Sequence, residues 1–354
     1  MTPDGIAARG IDRENLVEWV RAAVAEAASL SRPMDVERRV SPGGISVVAR
    51  FDESGFAKAY CDRFHEGPSG GSPAPDFRMD VLVGSSVPPL APWTDPSFPP
   101  QAFHAILGAA GLRAAYPFQD GIWRLCDLRT RRGLQWCASL DRLPPWDGSA
   151  PLRQHLHWFL EDRAMRLAHA ATLGLKDRGI VLFGRGGAGK SGTTLAGLAA
   201  GLSTVGDDYI ALHNDPAPLA RPLYRTVKQD RDGLSRIPWL AARLTGHAEN
   251  WRGKVEFDPG AVFEGAFLDV LPIGAAVVPR VAHAARPALV PIRAQTVMLS
   301  LMTSNLHQFA GEPDRGMTFF ARFLKDLPCY RLDLSPDAAR NGELLRAFIE
   351  RLPA

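Results

Sequence analysis

Cysteine is scarce. The four thiols, Cys61, Cys126, Cys137 and Cys329, are far apart and form no CxxC pair. That spacing argues against a disulfide framework and a structural zinc site, and favours reduced, buried thiols. No long apolar run is present either. The most apolar stretch, Val270 to Ile292, is broken by Pro272, Pro279, Arg280, Arg286, Pro287 and Pro291, so it does not read as a membrane span. An excess of one charge is also missing. With 41 basic against 38 acidic residues the formal net charge is +3, which gives no case for bulk nucleic-acid binding. The opening "MTPDGIAARGIDRENL" has mixed charges and no apolar core, unlike a secretory signal. The expectation is a cytoplasmic protein with neither a membrane nor a nucleic acid as partner.

What is present fits a globular chain: 354 residues, 46% of them hydrophobic, enough for about two domains. In the first part, Leu16, Trp19, Val20, Ala23, Val24 and Ala27 recur at helical spacing, with Asp12 as the expected N-cap. "ISVVARF", "FRMDVLVG", "GIWRLCDL" and "GLQWCASL" read as strands, and "RTRRG" reads as the hairpin turn between the last two. "EGPSGGSPAPD" and "SSVPPLAPWTDPSFPP" read as loops. This region, 1–150, is expected to be an α+β domain without a catalytic motif. A strand edge in it could accept an extended substrate, or the domain could simply complete the fold.

The pattern changes near Pro144–Pro151. In 151–354, "PLRQHLHWFLEDRAMRL" reads as a helix, "LAHAATLGL" and "RGIVLFG" as strands, "KSGTTLAGLAAGL" as a helix and "STVGDDYIALH" as a strand. The alternation predicts an α/β layer. Downstream, "AFLDVLPI" and "AAVVPRV" are strand candidates, "AQTVMLSLM" and "MTFFARFLKDL" helical, and "PCYRLDL" a short buried strand. A last helix is expected to start with Ser335 as N-cap and Pro336 at N1.

Within this layer, Gly184-Arg185-Gly186-Gly187-Ala188-Gly189-Lys190-Ser191 matches GxxxxGK[ST] at every fixed position, between a β-rich run and a helix former. Glycines allow successive N–H groups to point at phosphate oxygens, and the next helix adds its N-terminal dipole. Gly184, Gly186, Gly187, Ala188, Gly189, Lys190, Ser191 and Gly192 are therefore the expected nucleotide cradle, with Lys190 on the β- and γ-phosphates and Ser191 on Mg²⁺. GTPases, ATPases and kinases share such a loop, so the reaction depends on further groups. "VGDDYIAL" supplies Asp207 and Asp208, which strand alternation would point to opposite faces. One can hold Mg²⁺ and the other can accept a proton; a solvated turn is the competing reading. His169, in an apolar strand, reads by itself as a packed core residue.

Taken together, "LAHAATLGLKDRGIVLFGRGGAGKS" and "LSTVGDDYIAL" resemble the kinase core of the HPr kinase/phosphorylase family over residues 155 to 212. The fold implied is α/β, a C-terminal P-loop kinase core of the HPr kinase/PEP carboxykinase-like type with an N-terminal α+β domain. The resemblance implies ATP-dependent phosphorylation of a serine on a protein or peptide. It makes Asp207 the general base and Asp208 a Mg²⁺ partner beside Ser191, and it places His169 near metal and phosphates. The layout is closest to kinases of ribosomally made, lasso-type precursor peptides, although the phosphorylase-side signature and the family's N-terminal domain are not recognisable. Among neighbouring cations, Arg225 and Lys228 are the chosen phosphate contacts, with a solvated basic loop as the alternative; Arg280 is a further candidate. Trp239 and Trp251 flank a segment that could cover a peptide or serve only packing. A small-molecule hydroxyl kinase and a non-catalytic nucleotide-binding regulator remain as alternative functions, and homo-oligomerisation is left open.

Overall fold

The computed structural model describes residues 13–29, 36–65, 74–84, 100–115, 121–306, 314 and 316–353. Asp12 and most of the two proline- and glycine-rich loops lie outside them. The described chain is mixed α/β and divides into two compact units. One comprises the described residues up to Arg163, and the other runs from Ala164 and includes Pro42–Gly44.

In the first unit, strands β1 (Val36–Val40), β2 (Val47–Phe51), β3 (Phe77–Val83), β4 (Leu112–Ala114), β5 (Ile122–Asp127) and β6 (Arg132–Cys137) form one sheet in the order β1-β2-β3-β6-β5-β4. β2, β3 and β6 are mutually parallel, and the other pairings are antiparallel. The β5–β6 hairpin turns at Asp127↔Arg132, with Arg131 at φ 55°. Helix α1 (Leu16–Ser29) buries Leu16, Trp19, Val20 and Val24 in one core with Phe103 and Leu107 of α3 (Pro100–Ala109) and Leu125, Leu134 and Trp136 of the sheet. Helix α2 (Ser54–Cys61) sets Phe56 and Tyr60 edge-to-face with Phe51. Helix α4 (Arg153–Asp162), expected from sequence to open the second region, belongs to this unit. Its Phe159 stacks on Phe77 of β3 at 4.2 Å, and its His155 Nε2 lies 3.0 Å from the Leu134 carbonyl. Those buried contacts move the division past Pro151 to Arg163.

The second unit is built on seven strands: β7 (Arg166–Leu175), β8 (Arg178–Leu182), β9 (Asp207–His213), β10 (Leu219–Pro222), β13 (Leu271–Val281), β14 (Ala288–Pro291) and β15 (Cys329–Leu334), ordered β10-β9-β7-β8-β13-β15-β14. β8, β13 and β15 run parallel. Two further strands, β11 (Val227–Asp230) and β12 (Lys254–Phe257), form a separate antiparallel ribbon, with the short helices α6 (Arg231–Ser235) and α7 (Pro238–Arg243) between them. Helices cover both sheet faces, which is why β7 reads as a nearly continuous apolar run. Val297 and Leu301 of α8 (Ala294–Asn305) and Phe320 and Phe323 of α9 (Met317–Leu324) pack with Val181, Phe183 and Ile210. Leu345 and Ile349 of α10 (Ala338–Ile349) pack with Leu173, Ile180 and Leu182. α10 also approaches α5 (Lys190–Ala199) closely: a Cβ at Gly342 would stand 2.3 Å from the Ala196 carbonyl oxygen.

Three local expectations are corrected. β9 begins only at Asp207, because at Thr204 and Val205 side-chain bonds to Thr172 of β7 stand in for the strand ladder. "AFLDVLPI" becomes strand only at Leu271, where pairing with β10 starts. The last helix is capped by Asp337 and not by Ser335: the Asp337 carboxylate accepts the Arg340 N–H, while the Ser335 hydroxyl accepts that of Asp337 one turn earlier. All four cysteines are free; Cys126, Cys137 and Cys329 are buried, and burial pushes the Cys137 thiol up to about 12. Among the described residues, no helix is long and apolar enough to cross a membrane.

Candidate functional site

Residues 184–189 leave the C-terminal end of β8 and enter α5, which lies beside the ends of the parallel neighbours β13 and β15. A Cβ at Gly189 would stand 2.6 Å from Leu334 of β15 and 3.6 Å from Val281 of β13. Gly189 also has φ 103°, so both space and backbone call for glycine there. Gly189 is the N-cap of α5 and carries no side chain to satisfy the first-turn N–H groups. The loop residues Gly186 and Gly187 are exposed, and Ser191 and Gly192 half-buried. A helix start of this kind offers its donors and its dipole to an anion.

Lys190 is 7% exposed, and its ammonium donates to the Gly184 carbonyl at 2.6 Å. Burial lowers its proton affinity, and Asp207 and Asp208 together oppose that effect. Both acids therefore act on the same ammonium, contrary to the opposite-face expectation. The reason is local: Asp208 has φ 104°, well off the extended strand, so simple alternation fails at that step. A non-glycine residue held at positive φ costs energy and is characteristic of functional sites.

Two buried threonines position this bend. Thr204 Oγ1 donates to the Thr172 carbonyl at 2.8 Å and accepts from the Gly206 N–H at 2.9 Å. Thr172 Oγ1 accepts from the Val205 N–H at 2.9 Å. The chain entering the acid pair is thereby locked to β7.

The two carboxyls sit in contrasting surroundings. Asp207 is 5% exposed; burial raises its proton affinity, with the Ser191 hydroxyl opposing. Thr194 Oγ1 donates to its Oδ1 at 3.5 Å, whereas its buried Oδ2 accepts no hydrogen bond. Asp208 is affected by burial in the same direction, but Lys228 and His169 outweigh it and hold its carboxyl well below the usual range. Lys228 Nζ donates to Asp208 Oδ2 at 2.8 Å, and His169 Nε2 lies 3.0 Å from Oδ1.

His169 is thus not mere core. Its strand extends past the last β7–β8 pair, Ala171↔Leu182. There the Asn305 amide replaces a neighbouring strand: its Oδ1 accepts the His169 N–H at 2.7 Å, and its Nδ2 donates to the His169 carbonyl at 3.3 Å.

The structure brings together His169, Lys190, Ser191, Asp207, Asp208 and Lys228. Arg225 instead pairs with Asp258 at 2.7 Å, and Arg280 with Asp333 at 2.7 Å. Trp239 packs its ring on Phe263, and Arg252 lies over Trp251; each tryptophan is 50% exposed. Sequence reasoning missed Thr172, Thr204 and Asn305, which bond through backbone groups and leave no motif. It also missed Lys254 of β12, whose charge acts on both Lys190 and Asp207.

No cluster of three or more metal-ligating His, Cys, Asp or Glu exists among the described residues. A magnesium ion that shares its coordination with phosphates and waters needs only one or two carboxylates and a hydroxyl. The half-buried Ser191 hydroxyl and the Asp208 carboxylate, kept ionised by Lys228 and His169, are donors of the kind such a cation takes.

No protein-family model matches the chain, and none of the curated proteins compared matches it. Among solved structures it has a distant likeness in fold to the Hpr(Ser) kinase/phosphatase from Coxiella burnetii. The identity is 14% and the TM-score 0.30, over 52% of this chain and 95% of that one. At that score the likeness carries nothing about chemistry.

Proposed function

We propose that this protein is a serine kinase that transfers the γ-phosphate of ATP to a hydroxyl on a peptide or protein. The observation that carries the reading is the split acid pair beside Lys190: burial raises the proton affinity of Asp207, while Lys228 and His169 keep Asp208 ionised. Neighbouring groups driven apart in this way divide acid–base labour.

In this reading Gly184–Gly189 and the start of α5 bind the phosphates, and Lys190 leaves the Gly184 carbonyl for them. Ser191 and Asp208 would hold Mg²⁺; each Asp208 oxygen keeps a lone pair beyond its bond to Lys228 or His169. Bound Mg²⁺ would supply charge neutralisation on the β- and γ-phosphates. Asp207 Oδ2 takes the proton of the attacking serine hydroxyl. The serine oxygen forms its bond to the γ-phosphorus, the bond to the β–γ bridging oxygen breaks, and ADP departs. His169 orients Asp208. The overall layout, with "APLRQHLHWFLEDR" before the histidine and "LYRTVK" after the acid pair, favours a ribosomally made precursor peptide as acceptor.

The test is mass spectrometry of serine-containing precursor peptides incubated with Mg-ATP and the full chain. Phosphoserine on one of them supports the reading. Full transfer by Asp207→Asn on that acceptor would overturn the base assignment. Tight ATP binding with no acceptor consumed, whether peptide, protein or small molecule, would favour a nucleotide-binding regulator.

A further inference from the structure

The β11–β12 ribbon is the least expected part of the second unit. Lys228 faces Glu256 across it, and Asp230 faces Lys254. Side chains two residues apart on a strand share a face, so Lys228, Glu256 and Lys254 lie on one side of the ribbon. That side is on the site, because Lys228 reaches Asp208 at 2.8 Å. The other side of the ribbon, with Val227, Gln229 and Val255, packs against α5: Val227 and Val255 share a core with Leu195 and Leu198, and a Cβ at Gly192 would stand 3.5 Å from the Gln229 amide nitrogen.

The two lysines are used differently. Lys228 is neutralised by Asp208. Lys254 is half-buried, and among the described residues its ammonium enters no ion pair. The carboxylate opposite, Asp230, accepts the Gly233 N–H at 2.6 Å as the cap of α6 (Arg231–Ser235). Glu256 accepts from the Asn250 amide at 2.6 Å. Asn250 Oδ1 also accepts the Lys254 N–H at 3.1 Å, which fixes the start of the strand. The charge of Lys254 reaches both Lys190 and Asp207. In the proposed reaction the first binds the donor phosphate and the second meets the acceptor hydroxyl. Lys254 thus sets a cation with no ion pair of its own among the described residues on the same side of the ribbon as Lys228, which touches Asp208, and a cation so placed is offered to an incoming anion.

Resting on the proposed ATP-dependent transfer, we infer that Lys254 is a substrate-contacting residue that binds the terminal phosphoryl group of ATP from the ribbon, opposite Lys190. Lys254 therefore reads the γ-phosphate and discriminates ATP from ADP.

The experiment is equilibrium binding of Mg-ATP and Mg-ADP to the full chain by calorimetry, for wild type, Lys254→Met and Lys254→Arg, with thermal melts alongside. Lys254→Met should lose about tenfold in ATP affinity and no more than about twofold for ADP, the scale of one charge-assisted phosphate contact. Lys254→Arg should recover most of the ATP affinity. ATP affinity unchanged in Lys254→Met overturns the inference and leaves the nucleotide reading standing. Equal losses for ATP and ADP also overturn it, because the contact is then not with the terminal group. If wild type binds neither nucleotide, the kinase reading falls and Lys254 with it. Should Lys254→Met melt early, Lys254→Gln gives the same comparison.

Discussion

His169 Nε2 and Asp208 Oδ1 meet at 3.0 Å across adjacent antiparallel strands, although they are diagonal rather than directly opposed: His169 pairs with Tyr209, and Asp208 with Ala170. The positive φ of Asp208 is part of the backbone conformation that puts its carboxylate between His169 and Lys228.

Asp208→Asn should destabilise the protein by about 1–3 kcal/mol, because a charge-assisted pair is lost and the Lys228 ammonium is left uncompensated. The measurement is urea denaturation at neutral pH. The sign with pH follows from the depressed folded-state pKa. Its stabilisation is fully present above the unfolded carboxyl pKa of about 4 and is lost as pH falls through the lower folded value. The wild-type advantage over Asp208→Asn should therefore shrink only in acid, below about pH 4.

Asp207→Asn should move stability the other way. Its folded-state pKa is raised, so ionised Asp207 costs the fold stability as pH rises above the unfolded value. The variant should gain about 0.5–2 kcal/mol at pH 7, typical of a functional residue held at the expense of stability, and lose transfer. The gain should fade as pH approaches 4. Adjacent residues with opposite stability effects would be seen in paired denaturation curves.

Asn305→Ala should cost about 1–3 kcal/mol, since the His169 N–H and carbonyl both lose their partner. Transfer should drop although Asn305 touches no reacting atom. Urea melts and turnover on one acceptor read the two effects separately.

Lys190→Met should abolish nucleotide-dependent transfer, by about 100-fold or more, with the melting temperature preserved or raised. The buried ammonium is costly in the fold, as its lowered proton affinity shows.

Asp337→Ala should cost about 0.5–2 kcal/mol through loss of the α10 cap. Ser335→Ala, if it were the cap, would cost more; the geometry expects the reverse order in thermal melts.

Much of the core site was legible because its chemistry is local in the chain. Gly184 to Ser191 form one contiguous glycine-rich turn, and β8 and α5 on either side show their periodicity plainly. Asp207, Asp208, His169 and Lys228 could be picked out, but not their geometry. Strand alternation assigned the acids to opposite faces, and a single backbone angle at Asp208 undid that. Arg225 and Lys228 looked alike in "LYRTVK", yet Lys228 reached Asp208 and Arg225 reached Asp258. Asn305, Thr172 and Thr204 left no trace in sequence, because polar residues that bond to distant backbone carry no periodicity and no motif.

Read alone, the chain pointed to many of its strands and helices and to the glycine-rich turn before α5, since these depend on side-chain pattern and on glycine's backbone freedom over short distances. The tertiary structure alone decided which acid is buried and which is paired, which of Arg225 and Lys228 reaches Asp208, and where one unit ends. Those outcomes depend on desolvation and on groups brought together from distant positions: Lys228 reaches Asp208 from 20 residues away, and the Asn305 amide reaches the His169 backbone from 136.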